Sequence, residues 1–585
     1  MSRVVKKSPS LCTDLPLDNT DVCAKLHLLK QLLGSCFGPT GRLKQVHNNI
    51  GGHVVTTSTS SVLLPAISSS QPFVNMIKIS ILNHVSRFSD CGLFAAILCL
   101  ALIDQSQRSP LRKNVSIKVN KHLLDVCTSY LQRGDCGCKL KLDFCSSQNL
   151  ITLARSVISS KPACVLTEAE TLHISKLVVQ AFLLAIPCGK PGIVSLGKTV
   201  TVSVEGYSVL HSAVFPGLLI NITDALFLDK VENQPLTPLR VVVFSASLSG
   251  DLSELEDGTI EVYSDADTDS QILNQLLELG KQMVKEEVKL FVCQKVINPV
   301  LQHYLRTHGI IVIERLGIAL MEPLIRLTGA QPVATIHTTV PKKAYGEVGD
   351  LSIQRFGSKT LLHLHPLQQS AICTIILCHR NDTMLSELKT SLPVHFHLRD
   401  RFFNFHLVCQ KTEHVLRLTL KEPFALLGGG CTETHLAAYV RHKSMNEATD
   451  VASVIGCSQT EYLLGVEAFC SSLECVAAAL DHSSGNSIID LIHGHHCTVP
   501  AESINKNMED SVSFCGCGLV KSSPSKKWTF LNTKYKEFSP TPLYEDTTLQ
   551  PCVLDSFTAK FNALQVAIET ANLALDVRYI IQDVN

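Results

Sequence analysis

The sequence predicts a multidomain α+β protein in which an α/β centre is inserted into a helical domain built from both ends of the chain. Three observations carry this expectation. Val22 to Leu33 places apolar residues at helical spacing, and further helical patterns follow to about Leu131. From Val288 onward, short β-branched runs alternate with amphipathic segments, the pattern of a compact α/β unit. Near the C-terminus Leu554, Phe557, Phe561, Leu564, Ile568, Ala571 and Leu575 recur at intervals of three and four, which gives one apolar helical face.

Taken in order, the first helix is stopped by Gly34 and by the GPTG of Gly38–Gly41. Gly51–Leu64 (GGHVVTTSTSSVLL) is rich in β-branched residues and reads as strand or hairpin. Thr199–Val209 alternates like a strand, and Leu239–Ala246 is a short β-branched run. The α/β centre then reads as strand VKLFVCQK, helix from Asn298 and Pro299 to Gly309, strand IIVIE, helix Ile318–Gly329 and strand PVATI. Asn298 suits an N-cap, Pro299 the first helical position and Gly309 the stop. The acids around Ser253–Asp257 suggest a solvated loop. Ser391–Val408 holds four Phe and three His with Pro393 among them, and is expected to be poorly ordered.

At 585 residues and about 150 per domain, roughly four domains, or three larger ones, are expected. Apolar residues make up 45% and charged residues 18%, so a large core can be buried. Lys+Arg and Asp+Glu both number 52, which argues against a general electrostatic grip on nucleic acid or an anionic membrane. The most apolar stretch, Cys91–Ile103, fits a buried helix and falls short of the ~20 residues of a membrane span. No apolar signal region follows the N-terminus, and cysteines such as Cys99, Cys293, Cys373 and Cys378 sit inside apolar runs as small hydrophobes. The expectation is a soluble, intracellular protein in a reducing compartment.

GIVSLGKT, Gly192–Thr199, matches the spacing of a phosphate-binding P-loop. The strand-like TVTVSVEG that follows cannot open the helix such a loop needs, so a turn and strand containing Lys198 is preferred. LLGGGCTETHLAAYV, Leu426–Val440, is a better anion candidate, with three glycines leading into a helix. GPTGR, Gly38–Arg42, offers two glycines and a cation. For metals, HGHHC (His493, His495, His496, Cys497) and the CGC pairs Cys136–Cys138 and Cys515–Cys517 lack paired CxxC or HExxH spacing, so loop histidines and buried thiols are the preferred reading. No GxSxG nucleophile elbow is present.

These segments occur in the order found in group II chaperonins, the t-complex and thermosome family. GPTGRLKQ resembles that family's first phosphate motif, GPKGMDKM. Val85–Leu98 resembles the segment carrying GDGTTS, and GGGCTE the late glycine loop. Val292–Leu305 and Gly309–Val333 resemble the apical core, and Ala559–Asp583 the last equatorial helix and strand. The resemblance implies equatorial segments 1–135 and 411–585, intermediate segments 136–198 and 366–410 with an atypical insert at 391–408, and an apical, client-binding segment 199–365. It implies ATP held by Gly38, Pro39, Gly41, Asp90, Gly428, Gly429 and Gly430, with Asp90 a Mg²⁺ ligand. Clients would meet helices near Asn298–Thr307 and Ile318–Thr328.

The departures bear on mechanism. Gly92 and Leu93 replace the threonines after GDG, Thr59 stands for the NDG aspartate, and Lys411 stands for the aspartate that activates water. Lysine has the wrong sign for a general base, and Glu413 two positions on would point elsewhere on a helix. Little or no ATP hydrolysis is therefore expected; an ATP-driven foldase is the competing reading. The placement of Lys411 treats 391–408 as an insert, either genuine or translated non-coding sequence. FGPTGRLKQ, SDCGL and LTLKEPFALLGGGCTETHLAAYVRHK resemble, more narrowly, the Bardet–Biedl chaperonin-like branch of vertebrates. That branch implies an assembly factor of cytosol, centrosome and ciliary base, with the nucleus as a further site. Its partners would be sister chaperonin-like proteins, the t-complex chaperonin and, as clients, BBSome subunits.

Overall fold

A computed structural model of the chain describes residues 11–47, 54–69, 71–187, 196–222, 238–249, 268–335, 339–357, 359–368, 371–380, 403–482, 485–499, 514–519, 528–531 and 552–582. The chain divides into two compact units, one of Met1–Val179 with Thr383–Asn585 and the other of Gln180–Asp382.

The first unit is helical and centres on the helix Gly92–Arg108. Every residue from Gly92 to Ile103 is buried, which is why this run carries no charge and shows no polar face. Around it pack the helices Thr20–Gly34, Pro72–Phe88, Gln459–Ala478 and Phe557–Asp576. The last of these starts where Ser556 caps it, its hydroxyl accepting from the Ala559 N–H at 3.3 Å. Leu564, Ile568, Ala571 and Leu575 are buried as their spacing requires. The two chain ends meet in one ribbon, with Leu11–Asp14 antiparallel to Tyr579–Gln582.

The second unit contains a four-stranded sheet in the order Ile311–Ile313, Leu290–Cys293, Leu239–Phe244, Gly346–Val348. The first three strands are parallel and the fourth antiparallel. Alternate strand residues face opposite sides. Val241, Val243, Leu290 and Val292 pack with Met321, Leu324 and Leu327 of the helix Ile318–Thr328. Val242, Phe244, Phe291 and Val312 pack instead with Leu279 and Met283 of the helix Thr268–Lys285 and with Leu301 and Leu305 of the helix Pro299–Thr307. Because both faces are covered, Ile311–Ile313, Leu290–Cys293 and residues 241–244 are continuously apolar, with the exposed Arg240 and Glu347 where Gly346–Val348 pairs at the edge. Asn298 caps its helix as expected, its side chain accepting from the Val300 N–H at 2.9 Å.

Three expectations need correction. Gly51–Leu64 is not all extended: Val54–Thr57 pairs with Lys44–His47 in a hairpin, but Ser60–Ala66 is a helix whose Leu63 and Leu64 are buried. Among the described residues PVATI makes a single bridge, Val333 to Phe244, and the sheet edge at residues 239–241 is taken by Gly346–Val348. Ser391–Val408 is not uniformly irregular, because Phe403–Val408 forms the start of the helix Phe403–Thr419. Pro393 lies upstream, and no Pro or Gly interrupts the chain from Phe403 to Thr419. Residues 391–402 and the Ser253–Asp257 loop lie outside the described residues. Among the described residues, no helix is long and apolar enough to cross a membrane.

Candidate functional site

A cavity of about 710 Å³ opens within the helical unit. Two helix N-termini reach it, those of Gly92–Arg108 and Cys431–Ile455. Their free N–H groups and dipoles favour an anion between them. Gly38, Pro39, Asp90, Gly429 and Gly430 line the space. Gly41 and Gly428 stand just behind it: the Gly41 N–H closes a turn on the Gly38 carbonyl at 3.1 Å, and the Gly428 N–H donates to the Val553 carbonyl at 3.0 Å. Gly429 has φ +64°, and a Cβ there would meet the Gly516 carbonyl oxygen at 2.4 Å, so only glycine fits this wall.

The Asp90 turn is held firmly although its glycines are gone. Ser89 and Cys91 stand where the GDG resemblance has glycine, yet both keep positive φ, 62° and 60°. Each costs on the order of 1 kcal/mol against glycine. His84 braces the turn, its Nε2 at 3.0 Å from the Asp90 carbonyl and its Nδ1 at 2.9 Å from Asn562 Oδ1. The Ser89 hydroxyl meets His414 Nδ1 at 2.7 Å. Asp90 itself faces Lys161, with Nζ 3.8 Å from Oδ1 and both side chains largely buried.

Lys411 projects from the helix Phe403–Thr419, is 8% exposed, and donates to the Ser61 hydroxyl. Burial pushes its ammonium down to about 7, the charge of Lys161 adds to this, and Asp90 opposes it. Thr59 is buried at the N-terminus of Ser60–Ala66 and makes no side-chain cap. Its neighbour Ser60 lines the cavity. Glu413 is directed along its own helix, 2.6 Å from Arg417. Neither Thr59 nor Lys411 therefore brings a carboxylate to the phosphate end.

Sequence reasoning passed over Lys161, Glu433, Asp555 and Lys560, all of which line the cavity. Lys560 reaches Glu433 at 2.7 Å and Asp555 at 2.6 Å, and Lys560 and Glu433 are almost fully buried. Burial alone would depress the lysine, but attraction to Asp555 and then Glu433 outweighs it and raises Lys560 above its ordinary value. A signal was present: Lys560 interrupts the apolar face between Phe557 and Leu564.

The metal candidates scatter. Cys136 and Cys138 are buried with sulfurs 3.5 Å apart. His496 and Cys497 line the cavity, with His496 Nδ1 at 3.0 Å from the Gly429 carbonyl. His495, Cys515 and Cys517 instead converge on Cys431, which the sequence had shown only as part of the glycine loop. Cys515 and Cys517 are buried thiols, as the sequence reading preferred, and distant turns bring them together with Cys431 and His495 in a four-residue constellation. Lys198 begins the strand Lys198–Glu205 and pairs with Glu322 at 2.8 Å, so no helix opens after GKT. Burial pushes the Cys99 thiol up to about 12 and the Cys293 and Cys378 thiols to about 11, which keeps them unreactive.

Residues 29–395 and 405–585 match the model of the TCP-1/cpn60 chaperonin family. The chain belongs to this chaperonin family. Relatives include the molecular chaperone MKKS of Homo sapiens, 45% identical over the whole of both chains, and that of Mus musculus, 44% identical over 589 residues. A thermosome subunit alpha from Saccharolobus solfataricus is 24% identical over 82% of this chain and 81% of its own. The family match of this chaperonin omits only 396–404 between its two segments, a shorter interruption than 391–408.

The family's nucleotide can be tested against the cavity of this chaperonin. A phosphate chain fits, since two helix N-termini, close-approach glycines and the Lys161 cation face the same space. Mg²⁺ fits less well. It wants several oxygen ligands, and Asp90 is already matched by Lys161.

Proposed function

We propose that this chaperonin is a molecular chaperone that holds or assembles client proteins and binds ATP with little or no hydrolysis. The observation that carries the reading is Lys411, a buried lysine where the family resemblance expects the aspartate that activates water. A carboxylate there would orient and deprotonate water in the transition state. A lysine offers neither function, and losing one preorganised catalytic charge costs roughly 3–4 kcal/mol. Lys161, which lines the cavity, stabilises phosphate instead, and Asp90 is the one sequence-assigned Mg²⁺ ligand.

The full-length similarity to MKKS supports the chaperone role. Client contact is assigned to the helices Pro299–Thr307 and Ile318–Thr328, where Val300 and Ile318 are exposed at 47% and 80%. The three-part equatorial, intermediate and apical division, a cytosolic, centrosomal or nuclear site of action, partnership with sister chaperonin-like proteins and the t-complex chaperonin, and BBSome subunits as clients belong to the same proposal.

The test is suppression of aggregation of a destabilised client by the full chain, paired with a nucleotide titration. Suppression without added ATP, together with saturable binding, is expected. Suppression that requires continuous ATP hydrolysis would favour the driven foldase.

A further inference from the structure

Behind the glycine wall of the cavity, Cys431, His495, Cys515 and Cys517 bring three sulfurs and one ring nitrogen to a single point. All four ligand atoms lie within 4.8 Å of one another. His495 Nδ1 is 3.6 Å from Cys515 Sγ and 3.5 Å from Cys517 Sγ, and the two sulfurs are 3.3 Å apart. Four donors about 2.3 Å from a tetrahedral ion would be separated by roughly 3.8 Å, so these spacings need only small adjustments. The exposures of the four residues are 0, 0, 4 and 0%.

The geometry points to a structural zinc site of the Cys₃His type, built from three remote turns of the helical unit. Three thiolates and an imidazole in tetrahedral reach select zinc over hard cations. Four protein ligands leave no open position, so the ion would hold structure and would not bind substrate.

The supporting backbone is specific. Asp490, fully buried, accepts from the N–H groups of Ile492 at 3.0 Å, His493 at 2.7 Å and His495 at 2.7 Å, which fixes the turn presenting the imidazole. Gly516, between the paired cysteines, donates to the His496 carbonyl at 2.7 Å and lies against Gly429. Cys431 is the first residue of the helix Cys431–Ile455, directly after Gly430. With the ion on Nδ1 the ring proton resides on Nε2, which has no hydrogen-bond partner among the described residues. Zinc here would tie the Gly429–Gly430 wall to the turns at His495 and Gly516, segments that local sequence cannot hold together.

Full-length protein grown with ample zinc and purified without chelator should carry one zinc per chain by elemental mass spectrometry. The paired substitution Cys515→Ser with Cys517→Ser should lose it, while Cys136→Ser with Cys138→Ser should keep it. Should the first variant fail to fold, wild-type protein stripped under reducing conditions serves instead. On cobalt titration it should saturate at one ion per chain, with thiolate-to-cobalt charge transfer and the intense visible bands of a tetrahedral site. Wild-type protein that carries no zinc and develops no thiolate–cobalt band would overturn the assignment. Zinc that survives the Cys515/Cys517 substitution, or a Cys515–Cys517 disulfide in freshly isolated protein, would do so equally.

Discussion

The Lys161 ammonium stands 3.8 Å from the Asp90 carboxylate, at the N-terminus of the central helix Gly92–Arg108. An acid placed to hold a divalent ion thus already faces a cation of its own chain. Nucleotide binding should therefore depend little on Mg²⁺. Titration with ATP in excess EDTA should give a Kd within about 3-fold of that in Mg²⁺, under ~1 kcal/mol. A loss of 100-fold on removing Mg²⁺ would restore Asp90 to its ordinary role.

Lys411 gives stability a pH signature. Its ammonium is depressed from 10.5 to about 7. Between those values the unfolded chain binds a proton that the folded chain does not, so this group makes stability rise with pH from roughly 7 to 10.5 and leaves it flat below. Lys411→Met should be more stable than the parent by up to a few kcal/mol near pH 7, and the difference should shrink toward pH 10. Parallel curves in denaturant melts from pH 6.5 to 9.5 would refute this.

Much of the fold could be read from periodicity and from caps, as at Asn298 and from Phe557 to Leu575, although Leu554, read into the same helical face, belongs to the strand Leu554–Ser556. The site was legible only where chemistry lies in contiguous residues, as in the glycine turns. Lys161 passed unnoticed because its partner Asp90 is remote in sequence, and Lys560 with its neighbour Asp555 because a lone lysine on an apolar face usually snorkels. PVATI failed as a strand because pairing depends on what occupies the neighbouring sheet position. There Gly346–Val348 pairs with residues 239–241, leaving Val333 a single bridge at Phe244.

The Lys560–Glu433 pair should behave as a buried ion pair. Removing the cation alone strands two acids, so Lys560→Met should cost ~3–5 kcal/mol in denaturant melts. Adding Glu433→Gln should recover a substantial part. Destabilisation under about 1 kcal/mol for Lys560→Met would show that the pair is well solvated.

Backbone strain beside Asp90 is measurable at Cys91, whose φ is 60°. At this position Cys91→Gly should be more stable than Cys91→Ala by about 1 kcal/mol, the reverse of an ordinary helix interior. Equal melting midpoints for the two variants would remove the strain.

Single-turnover phosphate release, with enzyme in excess over radiolabelled ATP, tests the central claim most directly. The account predicts that ATP bound by the wild-type chain stays intact over many minutes, and that Lys411→Asp raises release above that background. Prompt release by the wild-type protein, unchanged or reduced in Lys411→Asp, would contradict it and identify the chain as an active ATPase.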